Sequence, residues 1–156
     1  MKKNRIIIVV FVALCLGIFD FFHVSGKEIR HLKDVGKECS VTVTVFEKAP
    51  TTGIGTGGYR ETECYTLTVE QTEELKQLLL SSTFRRNLSD TLVWQSDEQE
   101  KRYDIFVDFG DGQRVISIHA AGNHYISITD QFAGHFLMIR NEDWEGMLNR
   151  ILGKMK

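Results

Sequence analysis

Asp104, His119 and Tyr125 are the residues of this chain whose types suit chemistry. An aspartate beside a histidine raises the imidazole's hold on a proton and fixes its orientation, which serves a pH-responsive contact, a metal ligand or a general base. Turn residues decide whether the three meet. Asp111-Gly112 is a two-residue type I′ hairpin signal. That register sets Val107 opposite Ile116, Ile105 opposite Ile118 and Asp104 opposite His119. A three-residue turn at Ala121, Gly122 and Asn123 then sets Ile118 opposite Ile126 and His119 opposite Tyr125. The apolar pairs belong on a covered face, so Asp104, His119 and Tyr125 form a row across three strands on the other one. Phe106, Ser117 and Ser127 make the next row, and Asp108, Val115 and Thr129 the one after. The candidate binding residues are therefore Asp104, Phe106, His119 and Tyr125. The ordinary role of such a row is cross-strand pairing in solvent, worth a few tenths to about 1 kcal/mol. A slip of one residue scatters it to both faces.

No other cluster reaches the same standard. Gly53, Gly55 and Gly58 satisfy G-x-G-x-x-G, but this loop joins two predicted strands, whereas the phosphate fingerprint opens a helix, and it lacks the lysine of a P-loop. A hairpin tip is the simpler reading. Asp104, Asp108 and Asp111 lack the twelve-residue order of a calcium hand. His124, His135, His23 and His31 have no ligand spacing. No metal site, cofactor or catalytic set is predicted. Cys39 and Cys64 flank the glycine-rich connection and could meet across a hairpin as a disulfide, the alternative being two buried thiols that act as small hydrophobes.

The elements that position these residues follow from period and punctuation. Cys39 to Phe46 alternates β-branched and small polar residues, Ala49 to Gly58 breaks the pattern with Pro50 and four glycines, and Tyr59 to Val69 resumes it. Thr68 and Gln71 have capping-box spacing ahead of Leu75, Leu78 and Leu79, which predicts a helix to about Ser82. Residues 85–90 read as a loop, 91–95 as a strand and 96–101 as a turn. Strands near 103–109, 113–120, 124–129 and 135–140 follow. In the last of these the pattern leaves open whether Phe136 and Met138 or Leu137 and Ile139 face inward. A final helix is capped by Asn141 and carries Trp144, Met147, Leu148, Ile151 and Leu152 on one stripe. The expected fold is α+β: a twisted antiparallel sheet with two helices on one face. From residue 60 onward the order of elements resembles the TATA-binding-protein-like arrangement, a likeness of order that implies no shared function.

Lys2, Lys3 and Arg5 precede an apolar run from Ile6 to Phe19. Such a segment marks a leader helix that carries the following chain across a bilayer. Two readings of residues 1–26 stand. Ile6 to Phe19 fits a signal-peptide core of roughly 7 to 15 residues, with Val24 and Gly26 where a signal peptidase inspects side chains. Counted on to Phe22, the run approaches the about 20 residues of a membrane anchor, and residues 6–22 would then contact the membrane. Cys15 does not read as a lipidation site, because Leu14 precedes it where a small residue is expected. Residues 27–38 are polar and charged and read as a tether or a loosely docked first turn, and 39–156 as one α+β domain. Beyond residue 26 the chain has 16 basic against 20 acidic residues, a balance that excludes a nucleic-acid partner.

In its Lys-rich leader, its single domain and the ending from Ile128-Thr-Asp-Gln-Phe132 to Trp144, the chain resembles small exported or membrane-anchored domain-of-unknown-function proteins of Gram-positive bacteria. The resemblance implies an extracytoplasmic domain, membrane-held or secreted, and transfers no catalytic residue. The resemblance adds no mechanism; the open sheet face favours a non-enzymatic binding module at the cell envelope with a protein or envelope partner. The alternative is a metal-binding protein or hydrolase-type enzyme built on the Asp-His-Tyr row.

Overall fold

The computed structural model describes residues 2–29, 31–36, 38–49, 58–87, 100–122, 125–130, 134–140 and 143–153; within these, the side chains of 2–5, 19–22, 85–87, 125, 130 and 134–140 lie outside the description. The predicted strand at 91–95, the cap at Asn141 and the tip residues 51–57 fall outside the described residues.

The alternating segment forms strand β2 (Ser40–Lys48), with Val41, Val43 and Val45 buried and Thr42 and Thr44 turned to the other face. It pairs with β3 (Tyr59–Thr66) through a register shift between Val45 and Phe46. Helix α2 (Val69–Ser81) starts at the expected capping box. The Thr68 hydroxyl accepts from the Gln71 N–H at 3.3 Å and the Gln71 side chain accepts from the Thr68 N–H at 2.9 Å, so two of the first turn's orphan donors are satisfied. Strands β5 (Lys101–Asp108), β6 (Val115–Ala121), β7 (Tyr125–Asp130) and β8 (Gly134–Arg140) form the expected meander, and helix α3 (Trp144–Gly153) closes the described chain.

Two strands were not expected. Residues 85–87, read as the start of a loop, form β4 together with Thr83 and Phe84 (Thr83–Asn87), and a three-residue strand, β1 (His23–Ser25), pairs with it at the sheet edge. The eight strands among the described residues join one sheet in the order β1-β4-β8-β7-β6-β5-β2-β3, and every pairing is antiparallel. The β8 register puts Phe136 opposite Ile128 and Met138 opposite Phe84. Ile128 and Phe84 are core residues; the side chains of β8, on which the sequence left the inward set open, lie outside the description.

One core joins Leu75, Leu78 and Leu79 of α2 and Trp144, Leu148, Ile151 and Leu152 of α3 to the inward residues of the strands. Gln71, itself buried, ties the helices together by donating from Nε2 to the Ile151 carbonyl at 2.8 Å. The segment expected as a tether is part of this core. Ile29, Leu32 and Val35 are each 1% exposed; Leu32 opens the second of two 3-10 turns (Gly26–Glu28 and Leu32–Asp34), and Ile29 and Val35 are the residues that follow the first and the second. Helix α1 (Lys2–Phe22) precedes β1, and its Ile6, Ile7, Val9, Phe11, Leu14 and Ile18 are all exposed. Among the described residues no helix is long and apolar enough to cross a membrane.

Candidate functional site

The Asp104–His119 pair depends on the β5–β6 hairpin, whose register is the expected one: Val107 opposite Ile116, Ile105 opposite Ile118 and Asp104 opposite His119. The turn that sets it is not type I′. A type I′ turn needs positive φ at both central residues. Here the positive values fall on Gly110 (73°) and Gly112 (69°), and Asp111 takes none. Asp111 works instead through its carboxylate, which accepts from the Gln113 N–H at 3.0 Å and the Arg114 N–H at 2.8 Å. The Arg114 guanidinium, followed by these backbone donors, holds that carboxyl well below the usual carboxylate range. Asp108 closes the near side by accepting from the Gly110 N–H at 2.8 Å. The loop grows equally on both sides of the same centre, so its length changes and the strand register does not.

At the next turn the register does change. Ala121 stands opposite Tyr125, His119 opposite Ser127 and Ile118 opposite Ile128. The three-residue connection is therefore 122–124, one residue later than expected. Gly122 begins it with φ of 59°, a conformation that glycine adopts without a Cβ penalty. Sliding the connection by one residue moves each partner by two, which keeps every side chain on its expected face. The row is thus Asp104, His119 and Ser127. Tyr125 belongs to the same face by register but one pair further along, and its side chain lies outside the description. Phe106, Ser117 and Thr129 form the neighbouring row.

His119 Nδ1 lies 2.8 Å from Asp104 Oδ1, with both side chains a little over one-third exposed. The contact assigns the Nδ1 proton to the aspartate and so orients the ring. On the other flank β2 sets Thr44 opposite Asp104 and Thr42 opposite Phe106. Phe106 is 46% exposed, an aromatic ring held in water between two small polar neighbours. The face closes toward β7, where Ser127 is buried, as is Ala121 at the end of β6. Sequence reasoning missed Thr42 and Thr44 as members of this face, although the parity of β2 marks them once β2 is known to pair with β5.

Aspartate, histidine and serine in one row suggest a nucleophilic triad, but the geometry does not support one. Ser127 Oγ is buried and has no hydrogen-bond partner among the described residues, His119 included, so the imidazole is not placed to take its proton. Ser127 also sits mid-strand between two paired neighbours, where backbone N–H groups serve the ladder and not a developing oxyanion. Among the described residues no group of three His, Cys, Asp or Glu side chains is placed to hold a metal.

The two cysteines do not come together. Cys39 precedes β2 and lies by the Asp34 carbonyl, whereas Cys64 stands opposite Thr44 and receives its hydroxyl at 3.9 Å. Five strand residues separate the two levels, about 16 Å at roughly 3.3 Å per residue, far beyond the about 7 Å Cα limit for a bridge. The expectation of a disulfide is therefore corrected to two separate thiols, Cys39 half-buried and Cys64 exposed. No family model, curated protein or solved structure matches the chain, which leaves the face itself as the ground for a functional reading.

Proposed function

We propose that the chain is a non-enzymatic binding module that acts outside the cytoplasm at the cell envelope, docking a partner on the sheet face that carries Asp104, Phe106 and His119. The observation that carries the reading is the exposed Phe106 ring beside the oriented Asp104–His119 pair. A large aromatic left in water gains nothing for the fold, and it is the kind of residue that dominates binding energy once a partner covers it. The paired imidazole and carboxylate add direction at low entropic cost, because each already holds the other. Eight hydrogen-bonded strands give the face a rigid base. The envelope placement rests on the basic, then apolar, N-terminal run and on the resemblance to exported Gram-positive proteins. The TATA-binding-protein-like order of elements adds no function to it.

A pull-down from envelope extract tests the reading. The unaltered chain should retain a partner that Phe106→Ala loses and that Asp104→Ala with His119→Ala weakens by tenfold or more, about 1.4 kcal/mol in binding. Equal recovery by all three chains would remove this face from the function.

A further inference from the structure

We infer that His23–Gly26 belong to the folded domain, so that any hydrolysis of the leader that leaves a working protein falls before His23 and not at the Gly26–Lys27 bond. The small residues at 24 and 26 satisfy a signal peptidase on paper, yet the fold demands both for its own reasons. Val24 is 6% exposed and stands in β1 opposite Phe84, which is fully buried. The Gly26 N–H donates to the Ser82 carbonyl at 2.9 Å, and a Cβ on Gly26 would lie 2.0 Å from the Leu79 carbonyl oxygen. No side chain fits where the chain passes the end of α2, which explains the glycine without a protease.

The bond after Gly26 is itself enclosed by a cap. Ser25 Oγ accepts from the Lys27 N–H at 3.3 Å while Glu28 accepts from the Ser25 N–H at 2.7 Å. Ser25 therefore holds the far side of the bond from its near side, and the buried Ile29 follows at once. A cut at Gly26–Lys27 would strip the outermost strand, expose the backbone edge of β4, uncover Phe84 and split the cap. Within α1, by contrast, Cys15 and Gly17 form a small-residue pair two apart, and nothing lies within 4 Å of where a Gly17 Cβ would sit. Loss of the chain before Ile18 leaves β1 and everything after it in place.

The test uses the full chain expressed in a bacterial host, with cytoplasm, membrane and medium separated and the intact mass of each folded species measured. Every species should contain His23–Gly26, whether it begins at Met1, at Ile18 or elsewhere before His23. Hydrogen exchange on the same material should show the Gly26 amide slowed by tenfold or more over an unstructured chain. A folded species that begins at Lys27, or unprotected exchange across 23–29, would overturn the inference. The envelope reading fails separately: a full-length chain confined to the cytoplasm with 23–29 protected defeats that placement and leaves this inference standing.

Discussion

Tyr103 shows how a single side chain couples the sheet to α3. It is 1% exposed, and its hydroxyl lies 3.1 Å from both Glu145 Oε1 and Asn149 Oδ1. Burial, followed by the Glu145 charge, pushes the phenol up to about 12. The unfolded chain ionises this tyrosine near pH 10 and the folded one near 12, so the folded state holds the extra proton in between and stability falls as pH rises through that window. Tyr103→Phe should cost about 1 kcal/mol at neutral pH and should remove up to about 2 kcal/mol of the loss between pH 10 and 12. Urea midpoints across pH 8 to 12 check this, and an unchanged alkaline slope would assign the loss elsewhere. At the same scale the Asp104–His119 pair was legible, because the centre of the Asp111-Gly112 turn fixes the register however long the loop becomes. Tyr125 was not, since Ala121-Gly122-Asn123-His124 offers two three-residue connections, and Gly122 belongs to both, so only the strand pairing itself tells them apart.

Elements differ in how plainly their residues declare them. Helix α2 was legible from Thr68, Gln71 and three leucines because a cap and a 3.6-residue period are local signals. Strand β4 was not: Thr-Phe-Arg-Arg-Asn carries two adjacent charges, and it is a strand because β8 and β1 flank it. Strand β1 is too short to show any period, and Ile29, Leu32 and Val35 follow a period of three that neither common element has. Packing energies follow the same division. Leu148 is fully buried between α3 and the sheet, so Leu148→Ala should cost about 2–5 kcal/mol by denaturant unfolding. Gly26→Ala adds one methyl group but meets backbone at 2.0 Å, and the expected loss is about 2 kcal/mol or more. A neutral Gly26→Ala would mean that β1 lifts away from α2 without cost.

For the molecule as a whole the question is what keeps an eight-stranded open sheet from adding a ninth strand. One edge is β1, only three residues long. The other is β3, eight residues of nearly continuous exposure that places Arg60, Glu61 and Glu63 around the register shift at Val45/Phe46. Short edges, irregular pairing and charge are the usual means by which sheets discourage edge-to-edge pairing. Replacing Glu61 and Glu63 together with valine keeps a strand-forming sequence but removes the repulsion, and Tyr65, whose hydroxyl now donates to Glu63, becomes available to a second copy. The doubly substituted chain should elute as dimers and larger species at concentrations where the parent is monomeric. Light scattering coupled to size exclusion measures this. Because β3 lies two strands from Phe106, the same variant should still bind through the Asp104–His119 face while monomer persists. Loss of binding in the monomer fraction would show that the docking surface reaches the edge.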